Sequence, residues 1–249
     1  MSEIVRLVED EQILFKSPTV IEGLPDVGLV GTIASAHIIE QLNLKQVAHL
    51  ESDEFPPVMV LHGGVIVNPV GIYGNERIIV LTSEIPLPVN TIYDTARVMS
   101  KWFKDKGIKL QISLSGIPTQ DRVNIQNPKV FAVSNNKEYR DILKKHEIEI
   151  MEEGFLSGAY ALILKELIKY DLPAIALLSQ SFLKYPDPAA AATCIISMNK
   201  ISGMNIDVKN LIEKGDEIRI KARDLMRQSE GAIGEMQKPV EQTIPIMYR

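Results

Sequence analysis

Short β-type apolar runs alternate with segments of helical periodicity through nearly the whole chain, and this rhythm narrows the possible folds more than any other feature. Thr19-Val-Ile-Glu22 is followed by Gly28–Leu42, where Val30, Ile33, Ala34, Ile38 and Leu42 recur at helical spacing. Ile108–Leu114 and Lys129–Val133 read as strands, a short helix follows over Glu138–Lys145, and Glu147–Ile150 reads as a further short strand. A helix over Gly158–Tyr170 is closed off by Pro173. Ala174-Ile-Ala-Leu-Leu178 has no polar alternate, as a strand covered on both faces requires, and a helix from Pro188 to Ile201 comes next. Such an order predicts an α/β fold with a mostly parallel sheet between two layers of helices.

The N-terminal third adds strands at Gln12–Lys16, Val47–Leu50, Val58–Leu61, Val65–Val67 and Arg77–Thr82. Turns at Gly63-Gly64 and Gly74-Asn75 join some of them as antiparallel hairpins, so the sheet is mixed. Asn90 is expected to cap a helix that buries Ile92, Ala96, Met99 and Phe103 and stops at Gly107, with Trp102 at the margin of that stripe. From Asp207 a long amphipathic helix is expected, running to residue 229 and weakened by Gly215. Residues 1–229 thus form one α/β domain. In 230–249, Gly231, Gly234, Pro239 and Pro245 interrupt any helix and predict a flexible tail.

A net charge of −5 without a basic block argues against a nucleic-acid partner, since phosphate binding needs clustered Lys and Arg. The single cysteine, Cys194, excludes an internal disulfide, and its alanine-rich surroundings predict a small buried side chain. No apolar run reaches the ~20 residues of a membrane span. The start, Met-Ser-Glu-Ile-Val-Arg, is unlike a signal peptide, and a cytoplasmic protein is expected.

Sites for chemistry are scarce. The loop Gly23-Leu-Pro-Asp-Val-Gly-Leu-Val-Gly31 lies where α/β enzymes often hold phosphate, yet it matches neither the dinucleotide nor the P-loop glycine pattern. Asp26 is expected to cap the helix that follows. Ser115, Ser179 and Ser181 follow strands, but His37, His49, His62 and His146 give no reason to place a base beside them. No residues have metal-ligand spacing, and no cofactor is implied. In Tyr185-Pro186-Asp187-Pro188, the prolines force an extended entry, Asp187 supplies an N-cap and Pro188 takes the first helical position.

The final residues, Met247, Tyr248 and Arg249, place an apolar side chain, an aromatic ring and a carboxylate at the end of the flexible segment. Such an end suits docking into a pocket, and equally suits an ordinary frayed terminus.

Taken together, the chain resembles the archaeal proteasome assembly chaperone family, relatives of the second subunit of the eukaryotic assembly chaperone. The resemblance rests on Gly23–Gly31 (with Pro25, Asp26 and Gly28), Phe55-Pro56-Pro57, Gly154-Phe-Leu-Ser-Gly158, Leu172–Leu178 and Tyr185-Pro-Asp-Pro-Ala-Ala190. It implies a single three-layer αβα domain, similar to nucleoside phosphorylases but without their catalytic apparatus. It also implies that a hydrophobic–Tyr–any-residue terminus enters pockets between proteasome α-subunits, and Met247-Tyr248-Arg249 matches that pattern position by position. Family members form homo-oligomers, so a ring-like assembly is expected, with the helix from Asp207 and the 108–122 segment as candidate interfaces. The expectation is therefore a non-catalytic, ATP-independent chaperone or adaptor. The alternatives are an enzyme of phosphorylase or hydrolase type using the Gly23–Gly31 and Ser115–Asp121 loops, and a scaffold that joins a second small partner protein and keeps its tail masked.

Overall fold

The computed structural model describes residues 4–224. In chain order the elements are β1 (Arg6–Glu9), β2 (Thr19–Gly23), α1 (Val30–Gln41), β3 (Lys45–Glu51), β4 (Val60–His62), β5 (Val65–Val67), β6 (Val70–Asn75), β7 (Ile78–Ser83), α2 (Ile92–Asp105), β8 (Leu110–Pro118), β9 (Val130–Ser134), α3 (Lys137–Lys145), β10 (Glu149–Ile150), α4 (Ala159–Ile168), β11 (Ala174–Ser181), α5 (Pro188–Ser202) and α6 (Lys209–Glu213). Nine strands form one mixed sheet in the order β1-β3-β6-β7-β2-β8-β11-β9-β10. The run β7-β2-β8-β11 is parallel at the centre, and antiparallel pairings flank it on both sides. β4 and β5 form a separate antiparallel hairpin through Gly63 and Gly64, both at positive φ.

Side-chain alternation along the central strands divides the interior into two cores. Ile21, Ile78, Val80, Ile112, Leu114, Ile175 and Leu177 point to one face, where α1 contributes Ile33 and Ile38, α3 contributes Leu143 and α5 contributes Ile195 and Met198. Val20, Ile79, Leu81, Ala174, Ala176 and Leu178 point to the other face, against Met99 and Phe103 of α2 and Ile163 and Leu167 of α4. The three-layer architecture expected from the alternation is the one observed.

Several local expectations are corrected. Gln12–Lys16 is not a strand: Leu14 is exposed there, and the strand that pairs with β3 lies earlier, at Arg6–Glu9. Val70–Asn75, which carries the expected turn residues Gly74 and Asn75, is itself a strand, and the turn falls one step later at Glu76-Arg77. Asn90 does not cap α2. A 3-10 turn at Val89–Thr91 precedes that helix, and the Asn90 amide donates to Glu54 instead. Ser115–Pro118 is not loop but the end of β8. Trp102 is buried, with its indole N–H donating to Glu9 at 2.6 Å.

The C-terminal helix begins at Lys209, whose N–H bonds to Asp207 Oδ1, and it breaks at Lys214 beside Gly215 before resuming over 215–224. Its Leu211, Ile218 and Ala222 pack on the α1/α5 core, so this stripe is packed on its own domain, while Ile212 and Ile220 of the same segment stay exposed. Leu110 to Gly116 of β8 is likewise buried inside the sheet, whereas residues 117–121, at its end and in the loop beyond, are partly or fully exposed. The expected end of the helix at 229 and the tail 230–249 lie outside the described residues.

Candidate functional site

The segments Gly23–Gly31, Gly154–Gly158 and Tyr185–Ala190 converge at the C-terminal ends of β2, β8 and β11. β2 ends at Gly23, and the chain must turn at once into α1 while passing close to β8. A Cβ on Gly31 would lie 2.3 Å from the Leu114 carbonyl oxygen, and one on Gly23 would lie 2.3 Å from the carbonyl oxygen of Gly31. Only glycine permits that approach. Gly28 has φ +63°, and a Cβ there would strike Ser181 at the end of β11. Its carbonyl accepts the Asp187 N–H at 2.9 Å, which ties the first motif to the last.

Asp187 caps α5 as expected, accepting the Ala190 N–H, with Pro188 at the helix start. It also does something no local pattern discloses. Its two carboxylate oxygens receive Arg122 Nε at 2.7 Å and Nη2 at 2.9 Å, with Arg122 only 5% and Asp187 0% exposed. The Arg122 guanidinium also lies over the Phe182 ring, 5.1 Å from its centroid, and Tyr185 meets Phe182 edge-on. Tyr185 itself is exposed, as are Leu183 and Phe155 of the Gly154–Gly158 loop. Pro186 completes the extended entry to α5. Pro56 and Pro57 lie elsewhere, in the connection from β3 to the β4–β5 hairpin.

Asp26 does not cap α1. The turn Val27–Leu29, with Gly28 and Leu29 both at positive φ, separates it from the helix. Its carboxylate instead accepts the Ser115 hydroxyl at 2.7 Å. These two residues line a cavity of about 110 Å³ with Glu22, Gly158 and Tyr160, and Leu24, Pro25, Leu87 and Ile92 contribute apolar wall. Glu22 is 2% exposed, and burial pushes its carboxyl up to about 7, helped by the neighbouring Asp26. Burial, and then the charge of Asp26, likewise raises the Tyr160 phenol above its usual range. Sequence reasoning passed over Glu22, although one carboxylate in an otherwise apolar strand was its visible signal.

No nucleophile is assembled here. Ser115 is 1% exposed, and Ser179 and Ser181 are fully buried. His37 Nε2 bonds to the Asp207 carbonyl, His49 faces Asp10 and Glu51, and His62 faces Glu84, so none of these three partners a serine. Burial raises the Cys194 thiol to about 12, which keeps it protonated. Among the described residues no group of three or more His, Cys, Asp or Glu side chains can hold a metal ion, and no helix is long and apolar enough to cross a membrane. Met247, Tyr248 and Arg249 lie outside the described residues.

Fold and site together define a three-layer α/β domain whose strand-end loops are locked by close glycine contacts and a buried ion pair. The PAC2 family model matches residues 20–226, and the chain belongs to the PAC2 family. The uncharacterized protein MJ0106 of Methanocaldococcus jannaschii is 33% identical over 228 residues, covering 92% of this chain and 93% of that one. The crystal structure of Pyrococcus furiosus PbaA, described as an archaeal homolog of proteasome-assembly chaperone, superposes with a TM-score of 0.84 at 28% identity, covering 92% of this chain and 99% of PbaA. PbaB of the same organism, described as an archaeal proteasome activator, shares the fold with a TM-score of 0.75 at 24% identity, over 92% and 99% of the two chains.

Proposed function

We propose that this protein is a non-catalytic, ATP-independent proteasome assembly chaperone or adaptor, which docks on 20S proteasome α-subunits through Met247, Tyr248 and Arg249. The observation that carries the reading is the likeness to PbaA across almost the whole of both chains, on a chain that ends in an apolar residue, tyrosine and a carboxylate. The buried serines, the protonated thiol and the histidines engaged elsewhere support a body without covalent catalysis.

A three-residue anchor buries little surface and binds weakly alone, at about micromolar affinity or poorer. Several tails displayed on one ring raise the apparent affinity by roughly 10²–10⁴-fold through effective concentration. We therefore read the working form as a ring-like homo-oligomer in the cytoplasm, open to a second small partner protein. The β4–β5 hairpin supports assembly, since it exposes Met59, Leu61, Val65 and Ile66 together. Light scattering coupled to size-exclusion chromatography tests the oligomer, and a monomer at micromolar concentration removes the avidity. Binding of full-length and tail-truncated protein to isolated α-rings, measured side by side, tests the docking itself.

A further inference from the structure

The fold sets acidic groups at neighbouring strand ends, Asp187 and Glu22 buried and Asp26 half-buried, and treats them differently. Asp187 has its own cation, Arg122, in bidentate contact. Glu22 and Asp26 have none: among the described residues no lysine, arginine or histidine lies within ion-pair distance of either. Asp26 keeps only the Ser115 hydroxyl on Oδ2. Glu22 Oε1 accepts the Leu24 N–H at 3.0 Å, while Oε2 has no hydrogen-bond partner. The Ser113 hydroxyl approaches Glu22 from the paired position on β8 without the geometry of a bond to Oε2. A buried carboxyl oxygen without a hydrogen-bond partner is an unmet bonding capacity that a ligand can fill.

We propose that this cavity is a binding site for the primary ammonium group of a small alkylamine. The two carboxyls and the Ser115 hydroxyl on its wall can accept the three N–H donors, and Leu24, Pro25, Leu87 and Ile92 offer apolar wall to a short hydrocarbon chain. A metal ion is a poorer fit, because no third acidic or imidazole ligand stands close enough. The volume, about 110 Å³, holds a few heavy atoms and excludes a nucleoside. Binding the cation requires Glu22 to give up its proton. The other titratable groups facing it are Asp26 on the loop after β2, whose charge opposes its ionisation, and Tyr160 on α4, whose raised phenol stays neutral.

The test is a titration of the full chain with n-propylammonium chloride, followed by backbone amide NMR, with 1-propanol as the neutral control of equal size. Saturable shifts at Leu24, Ser115 and Gly158 are expected with the ammonium and not with the alcohol. Affinity should fall about tenfold per pH unit below about pH 7, as protons compete for Glu22. E22Q should weaken binding at least tenfold and leave α-ring binding unchanged. If E22Q does not fold, the wild-type pH series decides the matter alone. Equal binding of 1-propanol, a pH-independent affinity, or no saturation by 100 mM ammonium would overturn the proposal.

Discussion

Arg122 and Asp187 meet through two hydrogen bonds of 2.7 and 2.9 Å in a place where both side chains are buried. The pair fastens the segment after β8 to the start of α5, and Asp187 adds bonds to the Phe182 and Ala190 N–H groups. Replacing Arg122 with Leu leaves a buried carboxylate without its cation, and a loss of about 3–5 kcal/mol is expected. Urea or guanidinium denaturation measures it, and a loss under 1 kcal/mol contradicts the structural role given to the pair.

Glycine substitutions should separate crowding from backbone strain. Gly31→Ala drives a Cβ against the Leu114 carbonyl, which is backbone and cannot swing away. Gly63→Ala meets nothing within 4 Å and suffers only its positive φ. The expected costs are more than about 3 kcal/mol for the first and about 1 kcal/mol for the second, read from denaturation midpoints. Equal losses would show that α1 does not press on β8 as described.

Glu22 sets a pH dependence of stability with a definite sign. Its carboxyl is raised from 4.5 to about 7 in the folded protein, so between those values the folded state holds a proton that the unfolded state has released. Stability therefore falls as pH rises from about 4.5 to 7 and levels off above, by roughly 3 kcal/mol in all from this group. E22Q should remove that slope. Denaturation of both proteins at pH 5, 6, 7 and 8 checks it, and parallel curves would mean that Glu22 ionises normally.

The Cys194 thiol, buried and raised to about 12, should react with iodoacetamide at pH 8 only as fast as the domain opens. Mass spectrometry over time, native against urea-unfolded, measures the ratio. Comparable rates would place the thiol at the surface.

What the sequence disclosed and what it concealed follow a physical division. Local patterns were legible. The apolar run 174–178 pointed to β11, the 3.6 spacing from Val30 to Ile38 to α1, and Asp187-Pro188 to the start of α5 with its cap. Partnerships between distant residues were not. Arg122 and Asp187 are 65 positions apart, and Asp26 and Ser115 are 89 apart, so only the assembled sheet brings them together. Asp26 and Asn90 are sound capping residues by type, and both have tertiary partners instead, because a short 3-10 turn follows Asp26 and another contains Asn90 before each helix begins. β1 escaped notice because an edge strand with two exposed ends lacks clear alternation.

Docking through the chain's last three residues is tested most directly by one binding experiment. Full-length protein, a truncation lacking Met247–Arg249 and the Tyr248→Ala variant are passed over immobilised proteasome α-rings at equal concentration. The predicted result is binding by the full-length chain, and loss of at least tenfold in affinity for both variants with their folds unchanged by circular dichroism. Capture of the truncated protein as strong as that of the full-length chain would contradict it.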